Sequence, residues 1–244
     1  YIMGLPKLNT VEYFETLPVS QLEVKFRPFN VKEQKILLQT LEDGTPKAIS
    51  NGMMMLIRSC SEIQDNTWTV DKLSNTDLEW LFLKIRMKSV GETTKIVLPC
   101  VKQDEGCDGQ SPIEVDFDKM EIEGELKEPK VMLTDTIGVM MRIPSYSDVQ
   151  ELYEAGEEVS TDNIFQVLNK CIVQIFDADS VYDTKEFTDK EVNEFVDGLT
   201  VDQFNVMMDW FSSVPKMVHN VEFACSKCET VQEQKISGLQ NFFV

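Results

Sequence analysis

Apolar and polar positions alternate at both ends of the chain, and helical spacing dominates between them. Leu22, Val24 and Phe26 alternate with Glu23 and Lys25, the pattern of a strand with one covered face. An extended run near 11–16, joined to it through Pro18, makes the pair a hairpin. Pro28 closes the hairpin, and Asn30 with Glu33 three positions on opens a helix whose apolar face is Ile36, Leu37 and Leu41, ended by Gly44. After Pro46, residues Ile49, Met53, Leu56, Ile57 and Cys60 share one helical face, although Gly52 costs that helix about 1 kcal/mol. Ser74 and Asp77 stand in capping-box register before Leu78, Leu81, Phe82 and Ile85. Trp80 and Leu83 widen that stripe over most of the circumference, so the third helix is expected to be central.

Gly91 breaks the helical pattern. Ile96-Val97-Leu98 and Ile113-Glu114-Val115-Asp116-Phe117 then flank Cys100 and Cys107, and an acidic tract over 116–128 leads to Pro129. Extended runs at 130–133 and 137–143 are separated by the turn Thr134-Asp135-Thr136 and stopped by Pro144. A short helix is expected around Val149, Leu152 and Tyr153. Ile164, Val167, Leu168, Cys171, Ile172 and Ile175 fit helical spacing and predict one helix reaching Ile175. Thr188 with Glu191, and Thr200 with Gln203, make capping boxes for two shorter helices, one bearing Val192, Phe195 and Val196, the other Phe204, Met207, Met208 and Phe211. Val221, Phe223 and Cys225 alternate with Glu222 and Ala224 in a final strand.

These elements predict an α+β protein in which two groups of helices surround short antiparallel hairpins. The expected organisation is a single intertwined domain over 1–244. Its parts are a hairpin and helices at 1–91, a bipartite pair of cysteine hairpins at 92–128 and 216–244, and a strand pair with helices at 129–215.

The cysteines bring in chemistry. Cys225-Ser226-Lys227-Cys228 places two thiols two residues apart at a chain reversal, which is half of a tetrahedral metal site. Cys100 and Cys107, set between strands in the same way, supply the other half, so Cys100, Cys107, Cys225 and Cys228 are expected to form one zinc-ribbon-like structural zinc site. The six residues between Cys100 and Cys107 exceed the usual two to four. Two other readings stand beside this one: buried free thiols, and a redox dithiol at Cys225 and Cys228. A redox pair usually opens a helix, whose dipole favours the thiolate, whereas this one lies between strands. Cys60 and Cys171 fall on helical apolar stripes and read as small core residues.

Composition excludes several classes. A net charge of −19 argues against a nucleic-acid surface, which needs clustered Lys and Arg, while leaving a basic protein partner possible through steering. The longest apolar run, Met53 to Ile57, is too short to span a bilayer. With no signal peptide read at the start, the expected setting is a reducing cytoplasm, in a cell or a virus-infected one. No GxGxxG, GxxxxGK or GxSxG occurs, and His219 is the only histidine, which excludes HExxH proteases. Asp177-Ala178-Asp179 fails as a calcium loop, because Tyr182 and Thr188 stand where glycine and a carboxylate are required. The chain is therefore expected not to be an enzyme.

Several stretches together resemble a known family. Leu5-Pro6-Lys7-Leu8-Asn9-Thr10, Val24-Lys25-Phe26-Arg27-Pro28-Phe29, Leu83-Lys84-Ile85-Arg86 with Ser89-Val90-Gly91-Glu92, Leu133-Thr134-Asp135 with Ile137-Gly138-Val139, and Gly238-Leu239-Gln240-Asn241-Phe242-Phe243 are similar to the baseplate hub assembly protein of T-even-type contractile-tailed bacteriophages. Members of that family carry two CxxC steps. Cys225 and Cys228 match the second; Cys100 and Cys107 stand at the first with the wider spacing. The resemblance implies a non-enzymatic tail assembly protein that helps build the central hub of the baseplate, or a subunit that stays there. It implies other hub proteins as partners, and a place in the host cytoplasm during virion assembly or in the tail baseplate itself. Phe242, Phe243 and Val244 are candidate apolar contacts for such a partner, with packing back onto the cysteine hairpin as the alternative.

Overall fold

The computed structural model describes residues 10–155 and 161–237, so the stretches at 1–9 and 238–244, including Phe242, Phe243 and Val244, lie outside the described residues. The elements run β1 (Tyr13–Thr16), β2 (Glu23–Phe26), α1 (Val31–Asp43), α2 (Pro46–Cys60), β3 (Ser61–Ile63), α3 (Asn75–Val90), β4 (Thr93–Pro99), β5 (Gln110–Asp116) and β6 (Glu121–Glu123). They continue through β7 (Lys130–Met132), β8 (Gly138–Met141), α4 (Tyr146–Ala155), α5 (Thr161–Lys170), β9 (Ile172–Phe176), β10 (Val181–Asp183), α6 (Asp189–Asp197), α7 (Val201–Ser212), β11 (Lys216–Ala224) and β12 (Val231–Ser237). This is the expected α+β class, with small antiparallel sheets. The chain divides into two compact units, one formed by 1–70, 77–121 and 218–244, the other by 71–76 and 122–217.

In the first unit, β1 and β2 form the predicted hairpin, with Tyr13 opposite Phe26, and β3 adds to β2 as a third antiparallel strand. Asn30 and Glu33 complete the predicted capping box of α1. The expected apolar face of α1 is only partly covered: Ile36 and Leu37 are half-buried and Leu41 is exposed, while Glu33 and Thr40 are buried. Both polar residues have a reason to be there. Glu33 accepts hydrogen bonds from Arg27 at 3.1 Å and from the Asn30 amide at 2.8 Å. Thr40 meets α2 where Gly52 leaves room, since a Cβ on Gly52 would come within 2.2 Å of Thr40 Oγ1. The helix-weakening glycine thus allows the two helices to touch. As predicted, α3 is central: Leu78, Leu81, Leu83 and Ile85 are fully buried and Phe82 nearly so. Both carboxylate oxygens of Asp77 accept amides from the β1–β2 turn, Val19 at 2.9 Å and Ser20 at 3.1 Å. A buried carboxylate is tolerable only with such partners.

The second unit is built on a four-stranded sheet in the order β10-β9-β8-β7, every neighbour antiparallel. Here one expectation is corrected. The helix predicted to reach Ile175 ends at Lys170, and Ile172 to Phe176 form β9 inside the sheet. Apolar spacing over so short a run fits both states, and the run Ile-Val-Gln-Ile-Phe gains ladder bonds and packing on two sides as a strand. The core gathers Val131, Val139, Met141, Leu168, Cys171 and Trp210 among others. Burial pushes the Cys171 thiol up to about 12, as suits a small apolar filler. Both predicted capping boxes are present, at Thr188–Glu191 and Thr200–Gln203.

Candidate metal centre

Two hairpins of the first unit carry the candidate site. In one, β4 and β5 pair from Thr93 opposite Asp116 to Pro99 opposite Gln110, with Cys100 and Cys107 in the connection. In the other, β11 and β12 pair from Val218 opposite Ser237 to Ala224 opposite Val231, with Cys225 and Cys228 in the turn.

The long first connection is accounted for by its backbone. After Cys100 the chain makes a 3-10 turn at Gln103–Glu105, and Gly106 takes a left-handed φ of 87°, a conformation that costs glycine nothing. The Cys107 amide then donates back to the Lys102 carbonyl at 3.1 Å, and the Cys100 amide to the Gly109 carbonyl at 2.9 Å. The surplus residues form a closed loop, so a spacing wider than CxxC still returns the second sulfur to the first. Each hairpin repeats one contact: the Lys102 amide donates to Cys100 Sγ and the Lys227 amide to Cys225 Sγ, both at 3.4 Å. An amide aimed at the first sulfur of each pair favours its thiolate form.

The two pairs meet. Cys100 Sγ lies 3.7 Å from Cys228 Sγ, and Cys107 Sγ 3.8 Å from Cys225 Sγ, with all four sulfurs within 4.8 Å of one another. Four sulfurs each about 2.3 Å from a tetrahedral ion would be about 3.8 Å apart. The cluster is therefore compatible with a zinc-ribbon-like element and could hold a metal ion. Cys60 and Cys171 are not among these four. Nor is His219, whose Nδ1 stands 3.1 Å from the Lys119 carbonyl on a buried face of β11.

Polar contacts lock the hairpins together. The Ser226 amide donates to Ser111 Oγ at 2.9 Å, and Ser226 Oγ donates to the Gln110 carbonyl at 2.7 Å. The Val101 amide donates to Gln232 Oε1 at 2.9 Å, Gln234 Nε2 donates to the Pro99 carbonyl at 2.7 Å, and Lys227 pairs with Asp108. Gly109 admits the sulfurs: a Cβ there would lie 2.5 Å from Cys225 Sγ. Sequence reasoning named the four cysteines and missed this frame, because Gly109, Ser111 and Gln232 have no ligand chemistry of their own. The glycine two positions after Cys107 was the available signal.

The thiols divide electrostatically. The Thr230 hydroxyl and amide lower the pKa of Cys228, and the Cys228 and Lys227 amides lower that of Cys225. At Cys100 the Lys102 amide favours the thiolate, but burial and the neighbouring thiols outweigh it and the pKa rises. Cys107 rises too, because burial and Cys228 overcome the Gly109 amide. Four sulfurs this close cannot all carry charge unaided, and a bound cation removes that obstacle.

A family described as T4 bacteriophage base plate protein matches residues 10–244. The chain belongs to this family. Searches of curated proteins and of solved structures return no match. As a phage baseplate protein, the chain works at the tail baseplate among that structure's other components. Among the described residues of this baseplate protein, no helix is long and apolar enough to cross a membrane.

Proposed function

We propose that this baseplate protein is a non-enzymatic, chaperone-like assembly factor for the central hub, with a structural zinc ion bound by Cys100, Cys107, Cys225 and Cys228. The observation that supports the reading is the family match across nearly the whole chain, which reaches as far as a baseplate role. The hub itself rests on the resemblance of the stretches quoted above. The zinc reading is supported by the sulfur spacings and by the donor set: four thiolates suit zinc and leave no coordination position for water or substrate. A closed site of that kind braces the fold. Other hub proteins are then the partners and the host cytoplasm the place of work. The charge of −19 weighs against nucleic acid.

Phage lacking this chain should accumulate baseplates without a completed hub, and normal hubs in its absence would refute the role. The family description, which names a baseplate protein, also suits a second reading, a subunit retained in the finished baseplate. Mass spectrometry of purified virions separates the two, since an assembly factor is missing from the finished particle and a subunit is present in stoichiometric amount. For the site, elemental analysis should find one zinc per chain, lost in Cys225→Ser. A thiol oxidoreductase would instead show a Cys225 that alkylates readily before any chelator is added.

A further inference from the structure

The second unit holds an apolar pocket of about 350 Å³, enough for one large side chain. Its walls come from Ile137, from Ile175 and Tyr182 on the β9–β10 hairpin, from Phe187, and from Val192 and Phe195 on α6. Tyr182 and Phe187 meet edge to face with ring centroids 6.2 Å apart, and are 39% and 41% exposed. Beside them β10 is an edge strand of the sheet, and its Val181 is 65% exposed. Sheet edges that show apolar and aromatic side chains to water invite a partner.

Charge says which partner. Asp177 and Glu191 belong to the lining, and residues 177–194 contain seven acidic side chains against two lysines. Lys190 lies 3.5 Å from Glu194. Phe176, also in the lining, already carries the Lys130 ammonium 4.8 Å from its ring centroid, so this wall accepts cations. A second copy of a chain with net charge −19 is repelled from such a rim, whereas a basic segment is steered to it.

We propose that this pocket is a docking site for a segment of another baseplate component in which an aromatic side chain is flanked by lysine or arginine. The ring enters the pocket against the Tyr182 and Phe187 pair while the cations face the acidic rim. The proposal rests on the reading that the chain acts by binding other baseplate components, and its test is independent of that reading.

The full chain, isotope-labelled for NMR, is titrated with an acetylated, amidated pentapeptide bearing phenylalanine between two pairs of lysines. Saturable shifts are expected at the amides of Val181 to Phe187 and of Val192 to Phe195, weakened by added salt. A peptide with alanine at the centre should bind at least tenfold more weakly, one with glutamates in place of lysines should not bind, and Phe187→Ser should lower affinity at least tenfold. The peptide series on the unaltered chain decides the case even if Phe187→Ser disturbs the fold. No saturable shift at these amides, or equal binding of the glutamate peptide, overturns the proposal. So does movement of the same amides with the protein's own concentration, which would mark a second copy as the occupant. Normal hub assembly in phage lacking the chain would sink the assembly role and leave the peptide result standing.

Discussion

Gly109 lacks a side chain for a reason the sulfurs impose. With Cys225 Sγ 2.5 Å from where its Cβ would stand, Gly109→Ala must push a cysteine hairpin outward. With the proposed zinc in place, the expected result is weaker metal retention, seen as at least tenfold faster release to a chromogenic chelator, with the second unit's spectrum unchanged. Asp148 makes a second residue-level case. It is largely buried, which opposes ionisation, but bonds from Arg142 at 2.5 and 2.9 Å and from the Ser145 hydroxyl and amide outweigh burial and hold it at about 2. A carboxylate whose pKa is depressed on folding stabilises the fold above its ordinary value near 4, and that contribution disappears as pH falls toward 2. Because Arg142 is 40% exposed, the effect is discounted for screening to about 1–2 kcal/mol. Urea unfolding at pH 5 and pH 2 should show the unaltered chain losing that much more stability between the two than Asp148→Asn.

At the scale of elements, Gly52 reverses the usual propensity argument. Alanine at an exposed helical glycine stabilises by about 1 kcal/mol, but here the added methyl would strike Thr40, so Gly52→Ala should destabilise by about 1–3 kcal/mol. Replacing Thr40 with alanine, which removes the oxygen the new methyl would strike, should recover part of the loss in the same chain, measured by thermal unfolding. Most elements were legible from sequence because their ends are chemically marked: Asn30, Thr188 and Thr200 each cap the helix they were expected to open. The boundary at Lys170 was not, since Ile172 and Ile175 continue the helical stripe and only pairing with β8 and β10 makes them a strand. For the site, thiol chemistry marked all four cysteines, whereas the bonds holding the hairpins together join residues more than 100 positions apart. Nothing in local sequence announces a serine or glutamine that will meet a distant backbone amide.

Across the whole molecule, the two units should answer differently to metal removal. If zinc occupies the site as proposed, stripping it with a chelator should speed hydrogen exchange in β4, β5, β11 and β12, whose turns carry the thiols, while amides of the Val131–Val139–Trp210 core keep their protection. Uniform loss of protection would mean that the site governs the entire chain.

The distance along the chain between the two cysteine pairs also fixes an order of events during synthesis. Cys107 and Cys225 are 118 residues apart, and nearly all of the second unit lies between them. While the ribosome is still making that stretch, only half of the thiols exist, so a nascent chain has no complete cage to offer an ion. The inserted unit can collapse first, and the seal on the first cysteine hairpin waits until Cys225 and Cys228 have been made.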